Sequence, residues 1–393
     1  MHAQPNSAVV SKKGARRWEM GHPWIYKSDV IERPSPLPGV VLVHDQRHKP
    51  LGWALWSPHS EISLRLLERD HRTSPSIDAA WWRDRLRHAI ARRAPLADVT
   101  TAYRLVHGEA DGCPSLICDR YDQWLVVQLM SAGLEQFRGD IVNALLELVS
   151  PRGILARNDV PLRAKERLPQ TTELLAGEVP QEIEVVEHGV RFLAAPWGGQ
   201  KTGAFLDQRD NRALIGSLAR GRALDCFSYH GSFALHLARH ADHVIALDVS
   251  DAALARAREN CALNALHNVE LVEANAFDFL KAKEGAHERF DTIVLDPPAF
   301  AKNKASLPAA LRGYKEINLR AMRLLSAGGL LFTASCSFHL TKPLFLEMLE
   351  SAAADSGRRL ALRELRGQPL DHPEILTIPE TGYIKGALIE ALD

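Results

Sequence analysis

The stretch Leu224-Asp225-Cys226-Phe227-Ser228-Tyr229-His230-Gly231-Ser232-Phe233 decides the fold. An apolar run ends at an acid, a turn with one glycine follows, and apolar residues then recur at helical spacing (Phe233, Leu235, Leu237, Ala238). Strand, tight turn and helix in that order make the front half of a nucleotide-binding βαβ unit. A second apolar run, Val244-Ile245-Ala246-Leu247, ends at Asp248, where a carboxylate can meet a ribose hydroxyl pair. Dinucleotide folds need several glycines, because a pyrophosphate must lie close to the backbone. Only Gly231 is in place here. The ligand implied has an adenosine but no phosphate, a description that S-adenosyl-L-methionine (SAM) fits. In isolation such a turn is also that of any α/β protein, so the rest of the chain has to decide.

From residue 221 onward strands and helices alternate. Strands are expected at 222–225, 243–248, 269–272, 291–295, 329–334 and 383–389, and helices at 233–240, 251–264 and 311–325. That alternation predicts one doubly wound, mainly parallel, Rossmann-like sheet, with ligands beyond the C-terminal strand ends. Asp225, Asp248, Asn275, Asp296 and Cys336 all fall at such ends.

A chain of 393 residues predicts two or three domains. We divide it into a β-rich module (1–74), a central α+β domain with a hairpin linker (75–190) and the doubly wound domain (191–393). Short β-prone runs at 40–43, 51–56 and 62–67 are punctuated by Pro34, Pro36, Pro38-Gly39 and Pro58. Cations and rings interleave near the start (Lys12, Lys13, Arg16, Arg17, Trp18, His22, Trp24, Tyr26, Lys27), a composition suited to single-stranded RNA. Core tryptophans with surface lysines would read the same way. Net charge is zero, yet residues 1–95 hold 16 lysines and arginines against 9 acids, an excess of seven that the remainder offsets. A basic block on a neutral chain suggests one face for a polyanion. A helix over Ile77–Ile90 carries Arg83, Arg85 and Arg87, with Arg92 and Arg93 just beyond it, and its polar side is either solvated or a nucleic-acid face. Hairpins are expected around Tyr121-Asp122-Gln123 and His188-Gly189, and a helix from Phe137 to Val149. Asp207 is placed as the cap of a helix running to Leu218.

No apolar run is long enough to span a membrane, and the start lacks a signal-peptide apolar region. The five cysteines form no C-x-x-C pair, so neither a disulfide framework nor structural zinc is expected, and a cytoplasmic location is.

Two further motifs carry chemistry. In Leu295-Asp296-Pro297-Pro298-Ala299-Phe300, two prolines after a strand fix a rigid loop that holds Asp296 at the sheet edge. A carboxylate there suits the amine-bearing edge of a base. Thr333-Ala334-Ser335-Cys336-Ser337-Phe338 ends the next strand. A thiol beside that loop and a methyl donor suggests covalent activation of a pyrimidine. Carbon 5 of cytosine is a poor nucleophile; thiolate addition at carbon 6 pushes electron density onto it. Asp296 near ring N3 would stabilise the adduct. The base that removes the C5 proton has no sequence signature. Cys226 and Cys261 read as packing residues, the usual role of a cysteine.

These residues together resemble a known family. Asp-x-Phe-Ser-Tyr-x-Gly-x-Phe (225–233), Asp-Pro-Pro-x-Phe (296–300), Ser-Cys-Ser (335–337), Lys-Thr-Gly-x-Phe-Leu-Asp-Gln-Arg (201–209) and the tail from Asp371-His372-Pro373 to Gly386 are similar to class I SAM-dependent 23S rRNA methyltransferases of the large-subunit methyltransferase I type. Gly21-His22-Pro23-Trp24 resembles the start of that family's N-terminal PUA domain, an RNA-binding β-barrel. The resemblance implies cytosine C5 methylation in 23S rRNA with Cys336 as nucleophile and Asp296 beside it. It implies SAM held by Asp225, Phe227, Tyr229, Gly231, Asp248, Ser250, Asn275, Ala276 and Asp296. Lys12, Arg16, Trp24, Lys201, Gln208, Arg209 and Phe300 would face the RNA. No metal is implied. A homodimer is compatible, without an interface signature in the sequence. Asn275 stands where the family often has an acid, and His230 and Ser232 replace its commoner Thr and Gly. Two rivals remain: a guanine methyltransferase of the same fold, which needs no thiol, and a non-catalytic SAM-holding assembly factor.

Overall fold

The computed structural model describes residues 6–69, 77–301 and 303–393. Expectations for the first five residues and for the boundary at 74/75 lie outside the described residues. The chain divides into two compact units. One comprises Met1–Val185, Ala194–Leu206 and Leu370–Thr381; the other comprises Val186–Leu193, Asp207–Pro369 and Gly382–Asp393. Among the described residues no helix is long and apolar enough to cross a membrane.

The first unit holds a six-stranded sheet made from Ser7–Val10, Trp24–Tyr26, Val30–Glu32, Gly39–His44, Pro50–Trp56 and Ile62–Glu68. Its core is built on Trp18, Ile25, Val41, Val43, Trp56 and Leu64. The expected strand runs are present, but Lys12–Glu19 is an α-helix, capped by Ser11 Oγ on the Gly14 amide at 3.1 Å. Local composition hid it because Gly14 sits inside; a Cβ there would come within 3.2–3.3 Å of Asp29 and Ile25. The helix buries Trp18 and exposes Lys12, Lys13 and Arg16. Trp18 is thus a core ring and not a base platform.

A five-stranded sheet follows, from Ala102–His107, Leu116–Tyr121, Trp124–Leu129, Gly153–Arg157 and Thr172–Gly177. The turn at Asp122-Gln123 is in place, with Asp122 at φ 53°. The arginine-rich helix spans Ala79–Ala91. Its arginines and those just after it are paired: Arg83 with Glu147, Arg85 with Glu68, Arg87 with Asp84, and Arg92 and Arg93 with the buried Asp111. That surface is a salt-bridged protein face, not an open row of cations.

The second unit is the doubly wound domain. We label its strands β1 (Arg222–Cys226), β2 (His243–Asp248), β3 (Val269–Glu273), β4 (Phe290–Leu295), β5 (Leu325–Ser335), β6 (Leu360–Arg366) and β7 (Lys385–Ala391). Its helices are α1 (Arg209–Leu218), α2 (Ser232–Leu237), α3 (Asp251–Leu263), α4 (Ala276–Gly285), α5 (Leu307–Leu324) and α6 (Lys342–Ser356). The sheet order is β3-β2-β1-β4-β5-β7-β6. All neighbours are parallel except β7, which runs antiparallel to both β5 and β6. This is the mainly parallel sheet the sequence predicts. Near-continuous apolar strands such as Ile293-Val294-Leu295 are required because both faces are covered. Strand β6 and helices α4 and α6 were not anticipated. Asp207 is not the cap of α1, which starts after Gln208; its Oδ2 accepts from the Tyr383 hydroxyl at 2.8 Å. Beneath α1, Arg212 makes a bidentate pair with Glu187 (2.7 Å each), and His236 Nε2 meets the same carboxylate at 3.1 Å.

Candidate functional site

The register of β1, β4 and β5 sets the geometry. Cys226 lies opposite Leu295, and Leu295 opposite Thr333. The loops that follow therefore start at one level on adjacent strands. They bring the 225–233 turn, Asp296 and Cys336 to the same edge of the sheet.

The turn after β1 is strained and pinned. Phe227 and Tyr229 have φ of 65° and 52°, and Gly231 has 84°. Left-handed geometry at non-glycine residues costs on the order of 1 kcal/mol each and is tolerated where function needs it. The Ser228 amide donates to Leu247 O (3.0 Å), the Tyr229 amide to Asp248 Oδ2 (2.9 Å), and the Gly231 amide to Ser228 O (2.9 Å). A side chain at 231 would also crowd α3, since its Cβ would sit 3.3 Å from that of Ala257. His230 is a packing residue. Its ring stacks on Phe192 (5.5 Å, 19°), its carbonyl accepts from Asn260 Nδ2 (2.9 Å), and burial pushes its pKa down to about 4, so it is neutral.

Asp225 is fully buried at the base of the turn. Its Oδ2 accepts from Ser228 Oγ (2.7 Å) and the Ala234 amide (2.9 Å), while Oδ1 is buried without a partner among the described residues. Burial raises its pKa to about 7, and the nearby carboxylates of Asp296 and Asp248 add to the rise. An orphaned buried acceptor suits an incoming cationic amine, such as that of SAM. Asp248 accepts from two amides, those of Tyr229 and Ser250 (3.0 Å), but stays half-exposed with lone pairs left for a ribose. Ser250 and Asn275 are exposed helix caps: Ser250 Oγ receives the Ala253 amide and Asn275 Oδ1 the Phe277 amide. Ala276 is buried. Phe300 joins Phe227, Phe277 and Tyr314 in an aromatic wall, with centroids 6.3, 6.0 and 4.6 Å away.

At the far end of the row, Cys336 is half-buried. Ser335 Oγ and Ser337 Oγ both meet the Tyr314 hydroxyl, at 2.9 and 2.8 Å. Cys336 lies between these two serines, just past the end of β5. The buried Lys385 holds the same loop by donating to Ser337 O at 2.7 Å. Tyr314→Phe should leave these serines short of a partner, costing about 1–3 kcal/mol. Thermal unfolding should report that loss, and methyl transfer should drop roughly tenfold as the thiol loop loosens.

Asp296, half-exposed at the tip of β4, accepts from Gln208 Nε2 at 2.9 Å. Burial and the neighbouring Asp207 raise its pKa to about 7. Gln208 is thus brought to Asp296, whereas Arg209 is fully buried and pairs with Asp210 at 3.0 Å. In the first unit, Lys12 and Arg16 are exposed, Trp24 is half-buried with its indole donating to Glu109 (2.8 Å), and Lys201 is exposed over the Phe205 ring. Tyr314, Asn211 and Arg366 carry no local mark in the sequence, and Lys385 stands in the tail motif without a sign of its role.

A sheet of this order, with a pinned turn that lacks phosphate-binding glycines, defines a class I SAM-dependent methyltransferase. Residues 104–379 match the family described as S-adenosylmethionine-dependent methyltransferase, and residues 8–69 match a PUA-like domain. The "Ribosomal RNA large subunit methyltransferase I" of Tolumonas auensis is 41% identical over 382 residues, covering 94% of this chain and 96% of that protein. The protein of that name from Salmonella newport is 40% identical, with 96% of each chain covered. The chain belongs to this family. In fold it matches a protein described as a SAM-dependent methyltransferase from Streptococcus mutans (TM-score 0.82, 22% identity, 98% of this chain and 100% of that one). A second such structure, solved with SAH, gives a TM-score of 0.84 at 22% identity over the same shares. The cofactor is SAM.

Proposed function

We propose that this protein methylates C5 of a cytosine in 23S rRNA through a covalent adduct at Cys336. The observation that carries the reading is a half-exposed thiol just past the end of β5, on the strand that neighbours the one Asp296 follows. Relatives named for large-subunit rRNA supply the substrate class. Asp225, Phe227, Tyr229, Gly231, Asp248, Ser250, Asn275 and Ala276 would hold SAM, which when bound supplies a methyl group on a sulfonium. The Cys336 thiolate adds to C6 while Asp296 gives a proton to N3, leaving a neutral ring with electron density at C5. After transfer, the C5 proton leaves to water, the C6–S bond breaks, and the N3 proton returns to Asp296. Atoms and charge then balance: one methyl is gained and one proton lost.

We also infer the three-domain division; the six-stranded sheet has a cluster of its own around Trp18, Trp56 and Leu64, while its Leu55 and Leu67 join the core of the central domain. Lys12 and Arg16 lie four residues apart on one helix and are assigned to backbone phosphates, with Trp24, Lys201 and Phe300 as further RNA contacts. The double variant Lys12→Glu, Arg16→Glu should weaken RNA binding at least tenfold whatever the sequence. A filter-binding salt series should show a shallower slope; an unchanged slope removes this helix from the interface.

The decisive experiment uses 23S rRNA fragments containing 5-fluorocytosine, in which fluorine blocks the last elimination. A denaturation-resistant complex is expected with active enzyme and SAM. Its failure with enzyme that methylates normal RNA sinks the thiol mechanism and favours a guanine target.

A further inference from the structure

We propose that Gln208, Asn211 and Arg366 form a one-way hydrogen-bond relay that makes Asp296 Oδ1 a permanent acceptor. The relay thereby assigns the exchangeable proton of that carboxyl to Oδ2. This rests on the C5 reading above and adds positioning residues to it.

The direction follows from donor chemistry alone. A guanidinium only donates, so the Arg366 Nε contact at 3.1 Å fixes which end of the Asn211 amide is oxygen. A backbone carbonyl only accepts, so the Asn211 Nδ2 contact to Gly367 O, also 3.1 Å, fixes the other end independently. Asn211 Nδ2 then donates to Gln208 Oε1 at 2.6 Å, and Gln208 is left with one orientation. Its Nε2 must point at Asp296 Oδ1, 2.9 Å away. Gln208 and Asn211 are 5% and 1% exposed, so water does not compete for these bonds.

An oxygen that always accepts is a poor place for a proton. When Asp296 is protonated the hydrogen sits on Oδ2, for which no hydrogen-bond partner is found among the described residues. Addition of Cys336 needs a carboxylic acid that gives a proton to N3, and elimination needs the carboxylate that takes it back. The relay leaves a single atom for both transfers and keeps the plane of the carboxyl fixed between them. Burial holds the acid form near neutrality, the charge of Asp207 before α1 adds to it, Asp225 on β1 is coupled to Asp296 by mutual repulsion, and Arg212 on α1 opposes them. The Gln208 bond itself favours the charged form.

The test compares wild type, Gln208→Leu and Gln208→Glu in single-turnover methylation of 23S rRNA fragments from pH 5.5 to 9, with SAM affinity and thermal unfolding measured on each. Wild-type rate should fall as pH rises through about 7. Gln208→Leu should lose at least tenfold in rate on the plateau, keep SAM affinity within twofold, and move the falling limb to higher pH. Gln208→Glu can donate to Asp296 only while it is itself protonated. It should approach wild-type rate at pH 5.5–6 and lose activity more steeply above that. A merely structural glutamine would not give that pH-dependent rescue. If Gln208→Leu does not fold, the glutamate variant decides alone. Wild-type rate and an unmoved limb in either folded variant overturn the relay. Absence of any wild-type adduct with 5-fluorocytosine RNA instead overturns the reading it rests on, so the two failures are separable.

Discussion

Cys336→Ala is expected to lower methyl transfer to rRNA by at least about 10³-fold and to eliminate the 5-fluorocytosine adduct. The fold should survive. The thiol is half-exposed, and the bonds that shape its loop belong to Ser335, Ser337, Tyr314 and Lys385. SAM binding should survive as well, since the turn of 225–233 contains none of these groups. The loss therefore falls on kcat, with SAM affinity within twofold by calorimetry. Cys336→Ser should be equally dead, because a hydroxyl keeps the geometry but is a far weaker anion at neutral pH. The alternative chemistry, transfer to a guanine nitrogen, needs no adduct because the nitrogen lone pair attacks directly. Retention of even a tenth of wild-type rate in Cys336→Ala would settle the matter in favour of that alternative.

The sheet was legible because its strands are apolar runs that stop at chemically odd residues. Asp225, Asp248, Asp296 and Cys336 each stand at or just past the end of a strand, and the register of β1, β4 and β5 brings those strand ends to one edge of the sheet. Edge strand β6 was missed because its residues 362–365 are all exposed, Arg363 and Glu364 and two leucines alike, leaving no polar–apolar alternation to read. Helix α6 opens with Pro343, which reads as a breaker in isolation but is favourable in a first turn. His230 looked misplaced in a cofactor turn because its partner, Phe192, comes from a different hairpin. The relay from Arg366 to Asp296 is invisible for the same reason: its members come from the start of α1, the end of β6 and the tip of β4. Side-chain partnerships across such separations have no period, no motif and no composition bias. The arginine-rich helix shows the converse, for its charge run was conspicuous yet proved to be matched by carboxylates brought from elsewhere.

Asp225→Asn should make the ligand-free protein more stable at pH 8 while reducing SAM affinity at least about 100-fold. The carboxylate is fully buried, and only Oδ2 is used, taking both the Ser228 hydroxyl and the Ala234 amide. An asparagine oxygen can take both bonds, and its amine then occupies the place of Oδ1, which has no partner among the described residues. A neutral amide without a partner costs about 1–3 kcal/mol, less than an unpaired buried charge. The pH dependence carries the sign. The folded pKa, about 7, lies above the ordinary carboxylate range. Below pH 4 folded and unfolded chains both hold the proton, and the group is neutral in each. Between pH 4 and 7 the fold keeps a proton that the unfolded chain has lost, so wild-type stability from this group falls as pH rises and levels off above 7. The variant escapes that fall. Its advantage should be largest at pH 8, roughly 3–6 °C in Tm, and should vanish toward pH 4. SAM should then raise the melting temperature of wild type but not of the variant, because ligand stabilisation scales with affinity. A variant that melts lower than wild type at pH 8, or that binds SAM as tightly, would mean that Oδ1 is not waiting for the ligand's amine. The turn that organises this domain would then hold its charge for a reason other than the cofactor.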